Sequence, residues 1–208
     1  MSYIQSKQEE LLNVITHGVG ALFAVIGLVL LILNCNSNII HIRYVIIYGL
    51  SLILLFSASS IYHLVSIPKY KRALRKLDHI SIYILIAGTY TPICMSVLKD
   101  SRGILLVILV WSISAFGLFL KLFFTGKFEK VSLLLYLVMG WLVVLDIKVL
   151  YLSISTEALI YFILGGIFYS GGVVFYVMHS LKYHHVIWHI FVLLGSFFHY
   201  AMIYNILT

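Results

Sequence analysis

The sequence predicts an all-α, polytopic membrane protein: seven transmembrane helices in one bundle, with the N-terminus cytoplasmic and the C-terminus outside. Three observations predict it. The 208 residues are 62% hydrophobic and 10% charged, with a mean hydropathy of +1.09, whereas a soluble domain carries about 25% charged residues. Seven runs are long and apolar enough to cross a hydrocarbon core of about 30 Å, which takes about 20 residues of helix. The basic residues then fall unequally on the two sides of those runs.

In chain order the runs cover roughly 11–34, 43–66, 77–98, 103–124, 131–152, 157–178 and 185–207. The opening "MSYIQSKQEELLNV" is polar and acidic, with no basic head and no cleavage site before the first run. No removable signal peptide is expected. The connections are short and hold no repeat or low-complexity linker, so one domain is expected over 1–208, with a short cytoplasmic tail over 1–10. Lys7, Lys69, Lys71, Arg72, Arg75, Lys76, Lys121, Lys127, Lys130 and Lys182 fall on one side; Arg43, Lys99, Arg102 and Lys148 fall on the other. Positive charge stays cytoplasmic, which orients the bundle with its N-terminus inside and its C-terminus outside. The net charge of +7 is therefore a topology signal and not a nucleic-acid footprint. The segment "SIPKYKRALRKL" reads as a basic loop that also meets anionic headgroups. Cys35 and Cys94 have no metal-ligand spacing and read as packing residues.

Ionisable residues within a span are costly and usually face the interior to serve a function. Sorted by depth, they converge. Ser59 and His63 in "SASSIYHLVS" lie near the cytoplasmic end of the second run, Asp78 at the start of the third, and His185 and His189 of "HVIWH" at the start of the seventh. Residues four apart share a helix face, about 6 Å apart along the axis, so His185 pairs with His189 and Ser59 with His63. Asp78, Thr89, Pro92 and Ser96 share one side of the third run; Asn13, His17, Gly20 and Ala24 share one side of the first.

Two imidazoles at i and i+4 can occupy two tetrahedral positions on Zn²⁺, and His63 is at the depth to supply a third. Three histidines leave one position open, as in catalytic sites, where the metal activates water and polarises a carbonyl. "HVIWH" lacks the internal glutamate of "HExxH" proteases, so a base must come from another helix. Asp78 is the acidic residue at that level apart from the tail, and Ser59 can hold it or the water. The remaining histidines have plainer expectations. His179 and His184 read as solvated loop residues, His41 as a loop residue on the outer side, and His79 as a packing residue about 100° away from Asp78. His199 lies about 15 Å deeper than His189 and, like His17, reads as a polar core or cavity residue. Trp111, Trp141, Tyr151 and Tyr183 suit interfacial belts. Pro92 suits a mid-helix kink, and "GGIFYSGG" over 165–172 suits close helix packing.

The combination of "NVITHGVG", "SSIYH" (Ser59 to His63), "LDHISIYILIAGTYTP" (from Asp78) and "HVIWHIFVLLGSFFH" (His185 to His199) resembles the bacterial hemolysin III family. That family lies within the superfamily of progestin and adipoQ (adiponectin) receptors. The likeness runs over roughly residues 11–204. The resemblance implies seven helices, an internal N-terminus and a zinc ion in the cytoplasmic-side part of the membrane. By the same resemblance His63, His185 and His189 are the ligands, with Asp78 on the water. It also implies lipid hydrolysis, since receptor members are linked to ceramide cleavage, while the family's own name comes from cytolytic, pore-forming activity. The chain lacks the long N-terminal domain of the receptors, so hormone reception is not expected.

Three functions remain open at this stage. The first is a zinc-dependent, ceramidase-like hydrolase of a membrane lipid amide, with lipid as its partner. The second is a cytolysin, against which stands the absence of any export signal. The third is a non-catalytic membrane-homeostasis sensor with structural zinc. A proton-coupled transporter fits less well, because the ionisable groups cluster at one side.

Overall fold

The computed structural model describes residues 5–35, 39–124 and 126–208, with backbone alone for 39–41. Among these residues the chain is helical throughout, with no strand: α1 (Lys7–Asn34), α2 (Ile39–Leu64), α3 (Pro68–Ser96), α4 (Gly103–Phe124), α5 (Glu129–Trp141), a 3-10 segment (Leu142–Asp146), α6 (Ile147–Ser153), α7 (Thr156–Val177) and α8 (His184–Leu207). Seven stretches are long and apolar enough to cross a membrane, α5 to α6 counting as one.

Two of the helices, α1 and α4, turn a narrow stripe rich in small and polar residues inward and most of their large apolar side chains outward. On α1 the buried residues are Glu9, Asn13, His17, Gly20, Ala24, Gly27 and Leu31, recurring every three or four positions. Leu22, Phe23 and Leu33 on the other side are exposed. The same holds on α4, where Gly103, Leu106, Val110, Ser114, Gly117 and Lys121 are buried. This is the pattern of helices packed through small residues and surrounded by lipid.

Two ends differ from the sequence expectation. First, α1 begins at Lys7 because Ser6 and Glu9 form a capping box: Glu9 N–H donates to Ser6 Oγ at 3.3 Å and Ser6 N–H to Glu9 Oε2 at 2.7 Å. The supposed tail is thus partly helix. Second, "KYKRALRKL" is not a loop. Pro68 opens α3 at its first turn, where a missing N–H costs nothing, and the basic residues ride on helix. At 29 residues, α3 is about 43 Å long and outruns the hydrocarbon. Pro92 lies four residues from the end of α3 rather than at mid-helix, and Ser96 Oγ donates back to its carbonyl at 2.5 Å.

The fifth span is interrupted. Tyr90 on α3 donates its hydroxyl to the Gly140 carbonyl at 3.0 Å and accepts Val143 N–H at 2.9 Å. The side chain thereby satisfies backbone groups that a regular helix would pair internally. Asp146, at the end of the 3-10 segment, accepts from Ser101 Oγ and Arg102 N–H at 2.9 Å each. Trp141 therefore lies inside this span rather than at its end, and Trp111 donates its indole N–H to Thr91 Oγ1 at 3.1 Å.

The packed pairs are α1–α2, α2–α3, α3–α4, α7–α8 and α1–α8, with lighter contact of α5 on α3 and α4. Close approach of α7 to α8 needs glycine: a methyl at Gly165 would collide with the His199 ring, and one at Gly172 with Trp188 and Phe191. By contrast α5 and α7 do not form a packed pair. Both line a cavity of about 230 Å³ that α3 and α8, with residues of α1 and α2, complete.

Tyr90→Phe removes the hydroxyl that serves both Gly140 and Val143. It should destabilise the protein by about 1–3 kcal/mol, the cost of leaving a buried donor unpaired. Thermal denaturation in detergent checks this against Tyr151→Phe, at a 61% exposed position, which should leave the melting temperature unchanged.

Candidate metal centre

Three histidines from two helices meet beside this cavity. His63 sits in the last turn of α2, and His185 and His189 lie one turn apart at the start of α8. Their ring centroids are 5.2 Å (His63–His185), 5.1 Å (His63–His189) and 4.7 Å (His185–His189) apart. One nitrogen from each lies within 4.8 Å of the others, close enough to hold a metal ion. Tetrahedral ligation at about 2.0–2.1 Å wants nitrogens about 3.4 Å apart, so the rings would draw closer around a bound ion.

Hydrogen bonding decides which nitrogens are available. His63 Nδ1 is 2.7 Å from Glu10 Oε2, so it carries the proton and donates it. Asn13 Nδ2, 3.5 Å from the same nitrogen, is too distant to compete. His63 Nε2 is then a lone pair, buried without a hydrogen-bond partner. His189 Nδ1 is 3.3 Å from Thr16 Oγ1, whose own proton goes to the Leu12 carbonyl at 2.9 Å. The threonine therefore accepts, and Nε2 of His189 is likewise left with its lone pair. A buried, partnerless imidazole nitrogen facing two more imidazoles is costly unless an ion or water meets it. The donor set suits a first-row divalent cation such as zinc.

Asp78 and Ser59, the other residues singled out in the sequence, are both buried. They line the cavity together with His185 and His189. His63 is packed behind that wall. The rest of the lining is mainly apolar, including Leu55, Ile82, Ile86, Leu137, Ile163 and Val192.

Several residues fall elsewhere than the sequence suggested. His184 is not a solvated loop residue: it opens α8, is 4% exposed, and its Nδ1 meets the Phe175 carbonyl at 3.1 Å. Buried against α7, it anchors the turn that aims His185. His179 is exposed, as expected. His41 is helical in α2, and its side chain lies outside the described residues. His79 points to Glu129 Oε2 at 3.5 Å, away from the trio. His199 lines the deeper part of the same cavity, in keeping with the sequence expectation. His17 is part of the cluster itself, its ring stacked on His189 at 3.6 Å with 8° between planes.

Sequence reasoning missed the two glutamates of α1, which it assigned to an exposed tail. Glu9 is 2% exposed and accepts Tyr183 N–H at 2.9 Å, bracing the backbone just before α8. Tyr183 there has a positive φ of 61°. Glu10 reaches His63. The spacing Glu10, Asn13, His17 follows one helix face, so extending the polar stripe one turn back would have found it.

Comparison with known proteins agrees with this architecture. The pattern of the family described as Haemolysin-III related matches residues 5–200. The chain is 42% identical over 192 residues to the "Hemolysin-3 homolog" of Bacillus subtilis (strain 168), covering 91% of this chain and 90% of that protein. It is 38% identical over 194 residues to "Hemolysin-3" of Bacillus cereus, covering 92% and 89%. A more distant likeness, 29% over 170 residues, covers 77% of this chain and 69% of the human "Monocyte to macrophage differentiation factor". With seven membrane-crossing stretches and a family match over nearly its whole length, the chain belongs to the haemolysin-III related family of multi-pass membrane proteins.

Proposed function

We propose that this protein is a zinc-dependent hydrolase of a membrane lipid amide, held in the bacterial inner membrane with its N-terminus and metal centre on the cytoplasmic side. The observation that carries the proposal is a shared wall. Two of the three clustered imidazoles, a buried carboxylate and a buried serine all line one cavity whose remaining walls are mainly apolar. Such a cavity takes an acyl chain and brings its polar end to the cluster.

His63, His185 and His189 would hold the ion, which supplies Lewis acidity toward a carbonyl oxygen and eases ionisation of water. Asp78 takes the proton of the attacking water as its oxygen bonds to the carbonyl carbon. The carboxyl then returns the proton to the nitrogen as the C–N bond breaks, releasing a carboxylic acid and an amine. Ser59 holds the Asp78 carboxylate in place. The acyl chain rests against Ile82, Leu137, Ile163 and Val192, and the unpacked seam between α5 and α7 gives it a way in from the bilayer. The basic end of the bundle carries the site, and basic ends stay cytoplasmic.

A second proposal rests on the name of the relatives, "Hemolysin-3": the chain permeabilises membranes. In that case liposome leakage should survive substitution of His63, His185 and His189, and lipid cleavage should be absent.

Purified protein should carry about one zinc per chain, and His185→Ala should carry none and melt at lower temperature; elemental analysis beside a melting curve checks this. Asp78→Asn should keep the zinc and lose about 100-fold or more of fatty-acid release from an amide-linked lipid panel, as expected for removal of a general base. Wild-type protein that holds zinc yet matches Asp78→Asn on every lipid would exclude hydrolysis and leave a metal-bound sensor. Cysteines placed at Lys69 and Lys148 should react with an impermeant thiol reagent only from the inner and the outer side, respectively; the reverse would overturn the orientation.

A further inference from the structure

We propose that Glu10 is a positioning residue for the metal centre: its carboxylate grips His63 by Nδ1 so that Nε2 faces His185 and His189, and Lys71 holds that carboxylate in place. The inference rests on the proposal that the histidine trio binds a metal, and it concerns residues outside the trio.

The geometry is a continuous chain of three side chains from three helices. Lys71 Nζ on α3 lies 2.8 Å from Glu10 Oε1 on α1, and Glu10 Oε2 lies 2.7 Å from His63 Nδ1 on α2. Lys71 also lies over the Tyr62 ring, 5.0 Å from its centroid, which limits its freedom. The exposed half of this chain is weak by itself, because Lys71 and Glu10 side chains are each 26% exposed and such pairs are worth about 0–1 kcal/mol. The inner half differs. The His63 side chain is 1% exposed, so its Nδ1–H needs an acceptor, and Glu10 supplies one at short range.

Two consequences follow for a metal. An imidazole ring has a broad, two-fold preference about its last torsion, and a flipped His63 would aim carbon at the other histidines. The Glu10 hydrogen bond selects the productive flip and the productive tautomer together. A carboxylate on the far nitrogen also makes the ring a better donor, as outer-sphere carboxylates do for ligating histidines. Lys71 keeps Glu10 in that outer place by occupying its second oxygen, so that the carboxylate does not swing inward to take the open position itself.

The test is zinc affinity of purified, detergent-solubilised protein, measured by competition with a chromophoric chelator and paired with melting curves in excess chelator. Glu10→Ala should bind zinc about 10–100-fold more weakly. Glu10→Gln, whose carbonyl oxygen can still accept from Nδ1–H, should recover most of the loss but stay about 3-fold or more below wild type, for want of the charge. Lys71→Met should fall between wild type and Glu10→Ala. A merely structural role predicts something else: lower melting temperatures in chelator and affinities within twofold of wild type, and that result overturns the inference. Should Glu10→Ala fail to accumulate, Glu10→Gln and Lys71→Met both matching wild type would overturn it equally. Wild-type protein without zinc affinity would overturn the metal proposal and this one together, whereas tight wild-type binding with unchanged variants would overturn this one alone.

Discussion

A polar side chain on a membrane-spanning helix has one sheltered direction to face, and that restriction organises this protein. Hydrocarbon offers no hydrogen-bond partner, so Asn13, His17, Ser59, Asp78 and His189 must turn inward. The inward face is also where helices touch, and there small residues allow close approach. Packing and chemistry therefore share one stripe on each helix. On α1 the stripe runs from Glu9 through His17 to Gly20, Ala24 and Gly27: its polar half borders the histidine cluster and its small half packs the bundle.

The charges at the basic end are arranged by the same restriction. Lys71, Glu10 and His63 form one chain. Glu129, at the start of α5, forms another with Lys121 at 2.6 Å, Arg75 at 3.5 Å and His79 at 3.5 Å. Each gives a carboxylate a cationic partner, Lys71 in the first and Lys121 with Arg75 in the second, which is how ionised groups persist away from water. The first bears on the candidate metal centre. The second ties α5 to α3 and α4 at one end, while Tyr90 ties it at the other. Between those ties α5 stands as a wall of the cavity, unpacked against α7. That seam leaves room for the cavity in an otherwise packed bundle.

The relatives carry a name for lysis, whereas the hydrolysis proposed for this chain is argued from where its polar groups gather. Three imidazoles, a buried carboxylate and a serine converge at one depth, beside apolar walls. An ion pathway across the bilayer is marked by polar and ionisable groups along it; here they concentrate at the basic end, and the deeper cavity holds His199 among mainly apolar side chains. This asymmetry is the physical ground for preferring chemistry on a lipid over passage across the membrane.

Seven long apolar runs, the helical class, and the convergence of His63, Asp78, His185 and His189 on one depth were all legible in the amino-acid sequence. Each follows from local quantities: hydropathy over about 20 residues, loop charge, and the 100° step of a helix. Depth and phase are one-dimensional, so the chain states them outright. What surrounds each histidine depends on which helices become neighbours, and no single helix contains that. Only the folded bundle placed Glu10 on His63, stacked His17 on His189, buried His184 against α7 and broke the fifth span at Tyr90. Those contacts join residues 10 and 63, 17 and 189, 175 and 184, and 90 and 143. They exist because buried polar groups take their partners from whichever helix packs beside them.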